Sequence, residues 1–115
     1  MRRVEPGERF SQAVIVGSLV FLAGQVAADR KADVTAQTQQ ALAAVDKVLL
    51  AAGSGRSHLV SVSVYLRDIA DFEAMNRVWD AWLADLPKPT RITVEARLAF
   101  AELKVEIHAI AALAT

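Results

Sequence analysis

The chain has 115 residues, with 13 Lys+Arg balancing 13 Asp+Glu, so its formal charge is zero. One domain with a modest core is expected, and the zero charge argues against a nucleic-acid binder relying on a basic face. The absence of cysteine excludes disulfides, thiolate catalysis and Cys-based zinc sites, and the two histidines, His58 and His108, are too few for a histidine metal site without much carboxylate help. Apolar runs fall far short of a membrane span, and the leading M-R-R-V-E-P has no apolar signal core, so a soluble cytoplasmic domain is the expectation. An apolar content of 54% is high for a small neutral chain and points to surface hidden in an oligomer.

Arg2 to Arg9 is polar and reads as an irregular lead-in. Two β-rich runs follow, Ser11–Val16 and Leu19–Ala23, separated by Gly17-Ser18, a pair that fits a type II′ hairpin. Gly24 comes next; local sequence fits a plain strand terminator at least as well as a turn or a place for a ligand to come close. Asp33 is the expected N-cap of a helix to about Ala52 with Gly53 at C′; its stripe Val34, Thr38, Ala41, Leu42, Val45, Val48, Leu49 and Ala52 faces a core, and Gln37, Gln39 and Gln40 read as a solvated face. His58 falls in an exposed loop. Val60, Val62, Val64 and Leu66 then alternate with Ser61, Ser63 and Tyr65 in a strand with one apolar face. Asp71 is the expected cap of a second helix, about Phe72 to Asp85, burying Phe72, Met75, Trp79, Trp82, Leu83 and Leu86, with Asn76 as the odd polar group beside the stripe.

The stretch P-K-P-T-R-I-T-V-E-A-R-L, residues 87–98, organises the rest. Its prolines end the second helix and bias the residues before them to extended geometry. Ile92, Val94, Ala96 and Leu98 then point one way, and Arg91, Thr93, Glu95 and Arg97 the other. Arg91 at the mouth of a rigid strand suits a carboxylate, whose two oxygens its planar fork matches; the plain alternative is a structural ion pair with Glu106. A short connection, Ala99–Glu102, leads to a final strand, Leu103–Ala111, expected to pair with the preceding one as an antiparallel hairpin and to bring Glu106 toward the Arg91 side of the sheet. The order is β-β-α-β-α-β-β: an α+β fold, one sheet with two helices on one face. Nothing is left to cover the face bearing Ser61, Ser63 and Tyr65, so a partner subunit is the natural cover.

These residues resemble the RidA/YjgF family, also called the RutC family. The resemblance runs through F-S-Q-A-V, L-V-F-L-A-G-Q-V (19–26), A-A-G (51–53), V-Y-L-R-D (64–68), D-F-E-A-M-N-R-V-W (71–79), P-T-R-I-T-V-E-A (89–96) and K-V-E-I (104–107), with W-D-A-W and K-V-E-I most like the YoaB-type branch. It implies a chorismate-mutase-like fold and a homotrimer whose sheets enclose a barrel, with ligand clefts between subunits. The implied activity is cofactor-free, metal-free hydrolysis of 2-imino acids or their enamine tautomers to 2-keto acids and ammonia. By position, Arg91 matches the arginine that grips the substrate carboxylate and Glu106 the acid that positions water. Gly24 and Asn76 match positions close to the cleft. Thr93 stands where many members carry cysteine, and Phe10 where many carry tyrosine. The alternatives are a non-catalytic trimeric binder of small carboxylates, which the missing tyrosine favours, and an endoribonuclease or translation inhibitor, which the zero net charge disfavours.

Overall fold

The computed structural model describes residues 1–114. Seven strands form one mixed sheet: β1 (Arg2–Pro6), β2 (Ser11–Val16), β3 (Leu19–Leu22), β4 (Gln25–Val26), β5 (Leu59–Leu66), β6 (Thr90–Glu95) and β7 (Val105–Ala112). Helices α1 (Val34–Ala51) and α2 (Phe72–Trp82) pack on one side of it. The strand order is β1-β2-β3-β7-β5-β6, with the short β4 also paired to β7. The last strand in sequence is therefore central.

The helices are cut where local chemistry cuts them. Asp33 caps α1 by accepting from the Ala36 amide, and Gly53 follows the helix at φ 84°, a conformation that side chains resist. Gly17 turns the β2–β3 hairpin at φ 59°. Ala13, Ile15, Val20, Leu22, Val62, Val64, Leu66, Val105 and Ile107 point from the sheet onto Leu42, Val45, Leu49, Met75, Trp79 and Leu83 of the helical layer. Each large apolar side chain so buried contributes about 1.5–3 kcal/mol.

Several sequence expectations are corrected. Arg2–Pro6 is not irregular: it is an edge strand, β1, paired antiparallel with β2. With β1 and β4 added, the order becomes β-β-β-β-α-β-α-β-β. β6 does not form a hairpin with β7. As the closing strand of a β-α-β unit it lies parallel to β5, which stands between it and β7. β6 also ends at Glu95, so the connection is longer than Ala99–Glu102. It is pinned across the end of β5 by Ala96 N–H to Leu66 O and Arg67 N–H to Lys104 O. Asp71 makes no side-chain cap, and Val60 sits at a register shift that leaves it 45% exposed.

The glutamine run is not wholly solvated either. Gln37 is fully buried; its Nε2 donates to the carbonyls of Arg30, Ala32 and Glu102, and its Oε1 accepts from Lys104 N–H at 2.8 Å. One amide thus fastens the segment leading into α1 to the segment leading into β7. The Arg30 guanidinium stacking on Phe100, 3.5 Å from the ring centroid, ties the same two segments at the surface.

Candidate active site

Arg91 and Thr93 lie on β6, opposite Val62 and Val64, and so face the helical layer. The Arg91 guanidinium is half-buried among three side chains of α2: its carbon lies 5.0 Å from the Trp79 ring centroid and 5.7 Å from that of Phe72, and Nη1 is 3.9 Å from Met75 Sδ. Aromatic faces and a soft sulfur hold a cation without neutralising it. Burial pulls the Arg91 pKa below its ordinary value, and the charge of Asp80 opposes that pull. The one ion pair among the described residues is Arg56–Asp46, so no carboxylate occupies Arg91. Two neighbouring polar atoms, Thr93 Oγ1 and Asn76 Oδ1, are buried without a hydrogen-bond partner. Asn76 stands one helical turn from Phe72 and Trp79.

Glu106 lies on the opposite face. β7 sends Val105 and Ile107 into the core and Glu106 and His108 outward, onto the uncovered side. The Glu106 carboxylate rests on the backbone at Gly24: a Cβ built there would overlap Glu106 Oε2. This corner is braced by Gln25, which pairs with Ile107 and donates through Nε2 to Gln12 Oε1 at 2.9 Å and Ala23 O at 3.1 Å. Gly24 and Glu106 share an open cavity of about 380 Å³ with Tyr65, His108, and Arg97 from the 96–99 stretch.

The six expected site residues therefore form three groups within one chain. Gly24 meets Glu106; Thr93 and Asn76 lie near Arg91 on the other side of the sheet; Phe10, 59% exposed at the β1–β2 turn, belongs to the far end of the strand order from β6. The expectation that Glu106 approaches the Arg91 side of the sheet is corrected, because Glu106 pairs across from Tyr65 on the outer face and Arg91 across from Val62 on the inner one. The Arg91–Glu106 ion pair falls with it. Tyr65, Arg97 and His108 were not singled out as cavity residues. The signal lay in the alternation of β5 and β7, which puts Tyr65 and His108 on the face that carries Glu106. Among the described residues no group of three or more His, Asp or Glu side chains is placed to hold a metal ion, and no helix is long and apolar enough to cross a membrane.

A mixed sheet with an unpaired arginine on one face and a glycine-seated glutamate on the other defines the class of protein to compare. A family model described as Endoribonuclease L-PSP matches residues 1–113, and the chain belongs to that family, whose members also carry the YjgF and RutC names. It is 40% identical over 111 residues to a RutC family protein of Haemophilus ducreyi, covering 96% of this chain and 95% of the relative. It is 38% identical over 111 residues to the RutC family protein YoaB of Escherichia coli, covering 96% of each. Among solved structures, NMB1025 of Neisseria meningitidis, a member of the YjgF protein family, superposes with a TM-score of 0.95 at 39% identity, covering 99% of this chain and 95% of that one.

Proposed function

We propose that the protein hydrolyses small 2-imino acids, or their enamine tautomers, to 2-keto acids and ammonia, in clefts between the subunits of a homotrimer. The observation that carries this reading is the Arg91 guanidinium, seated on Phe72, Met75 and Trp79 with no carboxylate of its own, beside the orphaned Thr93 Oγ1 and Asn76 Oδ1. A planar guanidinium in that state receives a substrate carboxylate on two oxygens.

The division of groups between two faces also supports an intersubunit site. Arg91 stands on the edge strand β6, while Glu106 opens on a face crossed by the exposed side chains of Val16, Leu19, Phe21, Ile92 and Val94. A second copy placed over that apolar face, with its own β6 edge at the cavity, brings one subunit's Arg91 toward the other's Glu106. The β1–β2 turn with Phe10 lies at the free edge available to a neighbour.

The chemistry asks little of the protein. A protonated imine conjugated to a carboxylate is already electrophilic. Arg91 fixes the carboxylate, and orientation of this kind contributes several kcal/mol. Glu106, held in place against Gly24, takes a proton from the attacking water. Backbone N–H groups near Gly24 and Thr93 face the charge that develops.

The test generates 2-aminoacrylate with a dehydratase in the presence of semicarbazide and follows the competition between trapping and hydrolysis. Native protein should speed the release of pyruvate and Arg91→Ala should not. A native protein that leaves the free reaction unchanged ends the proposal. Binding of 2-ketobutyrate without turnover would favour a carboxylate-binding protein, the reading that Phe10 at its position supports.

A further inference from the structure

We infer that Tyr65 carries protons between Glu106 and the substrate nitrogen, an inference that rests on the deaminase reading above. Tyr65 is the only tyrosine in the chain. It pairs directly with Glu106 in the antiparallel register of β5 and β7, and both line the cavity that Gly24 opens. Residues opposed in this way share a face, with Cβ atoms about 4.5–5.5 Å apart. The Tyr65 ring is half-buried, and its hydroxyl has no hydrogen-bond partner among the described residues, so it is not spent on holding the fold. Glu106 is confined on one flank by the Gly24 backbone and lines the same cavity as Tyr65.

Hydrolysis needs a group in this position. Water adds to the imine carbon: a C–O bond forms, the C=N π pair moves to nitrogen, and one water proton passes to Glu106. The neutral amino nitrogen must then gain a proton before it can leave. A phenol hydroxyl accepts and donates at once. The Tyr65 oxygen takes the proton from Glu106 while its own proton goes to nitrogen, leaving the phenol neutral and Glu106 a carboxylate. The C–N bond breaks with its electron pair on the departing ammonia. The remaining hydroxyl gives its proton to Glu106 as C=O forms, and ammonia takes that proton away as ammonium.

Tyr65→Phe keeps the ring and removes only the oxygen. In the semicarbazide competition its kcat should fall on the order of 100-fold, the usual contribution of a placed proton carrier. KM, the affinity for 2-ketobutyrate by calorimetry and the melting temperature should stay near native values. Tyr65→His, which again gives and takes a proton, should recover part of the lost rate. An active native protein with an equally active Tyr65→Phe variant overturns the relay. So does a loss that His108→Gln reproduces and Tyr65→Phe does not, or a loss of rate matched by a loss of keto-acid affinity. Native protein with no activity is a different result, and it removes the deaminase reading itself.

Discussion

The same sheet presents two faces, and both carry apolar residues. Val62, Val64, Val105 and Ile107 point to the helices and are almost inaccessible; Phe21, Ile92 and Val94 point the other way, and Ile92 is 56% exposed. Period-two alternation marks the difference between faces but not which face lies inside. That is decided by where the crossover helices pack. The candidate site is split by the same division, with Arg91, Thr93 and Asn76 on the covered side and Gly24, Glu106 and Tyr65 on the bare side. Under the deaminase reading proposed above, groups divided between two faces of one sheet meet only across a contact between two copies.

The sharpest way to break this comparison is to charge the bare face. On the trimer and deaminase proposed above, Phe21→Glu should convert a mass near three times 12.4 kDa into that of a single chain, and deamination should vanish with it. Light scattering checks the first and the trapping assay the second. A charged variant that remains assembled would mean the bare face is not the interface.

On the covered side, Arg91→Ala should lower kcat/KM by about 1,000-fold, as a lost charge-assisted bidentate contact and lost orientation combine. Its folding should be little changed, because the guanidinium has no ion-pair partner to abandon. Between the faces, Gln37→Leu should cost about 3 kcal/mol in urea unfolding, since backbone groups from two segments lose buried partners. A loss below 1 kcal/mol would show that water replaces the amide. On the bare side, Gly24→Ala should reduce kcat by about 10- to 50-fold by displacing Glu106, with keto-acid affinity and stability little affected. The smallest effect belongs to the helical surface, where Asp46 accepts from Arg56 and from Trp82 Nε1. Asp46→Ala should cost about 1 kcal/mol in the same unfolding measurement and leave turnover alone.

The sequence was most legible where a single residue decides an outcome. Asp33 and Gly53 mark both ends of α1, and Gly17 marks a hairpin. It was least legible where distant segments decide. Gln37 looks like its neighbours Gln39 and Gln40, and only carbonyls and amides brought from Arg30, Ala32, Glu102 and Lys104 make it a core residue. The hairpin expected between the last two strands failed for a similar reason. A loop near Ala99–Glu102 favours pairing of neighbours, but the β-α-β unit had already placed β6 beyond β5. Within the candidate site, the resemblance pointed to Gly24 and Glu106, and the two meet because no Cβ fits beneath the carboxylate.

The central place of β7 has a consequence for biosynthesis. While the chain is being made, β3 and β5 have no common neighbour to join them, and the pairing that unites the sheet waits for residues beyond Val105. Such long-range closure slows folding relative to chains built from local contacts. Glu106 arrives on that same strand, so the corner it forms with Gly24 also waits for the last strand to be made.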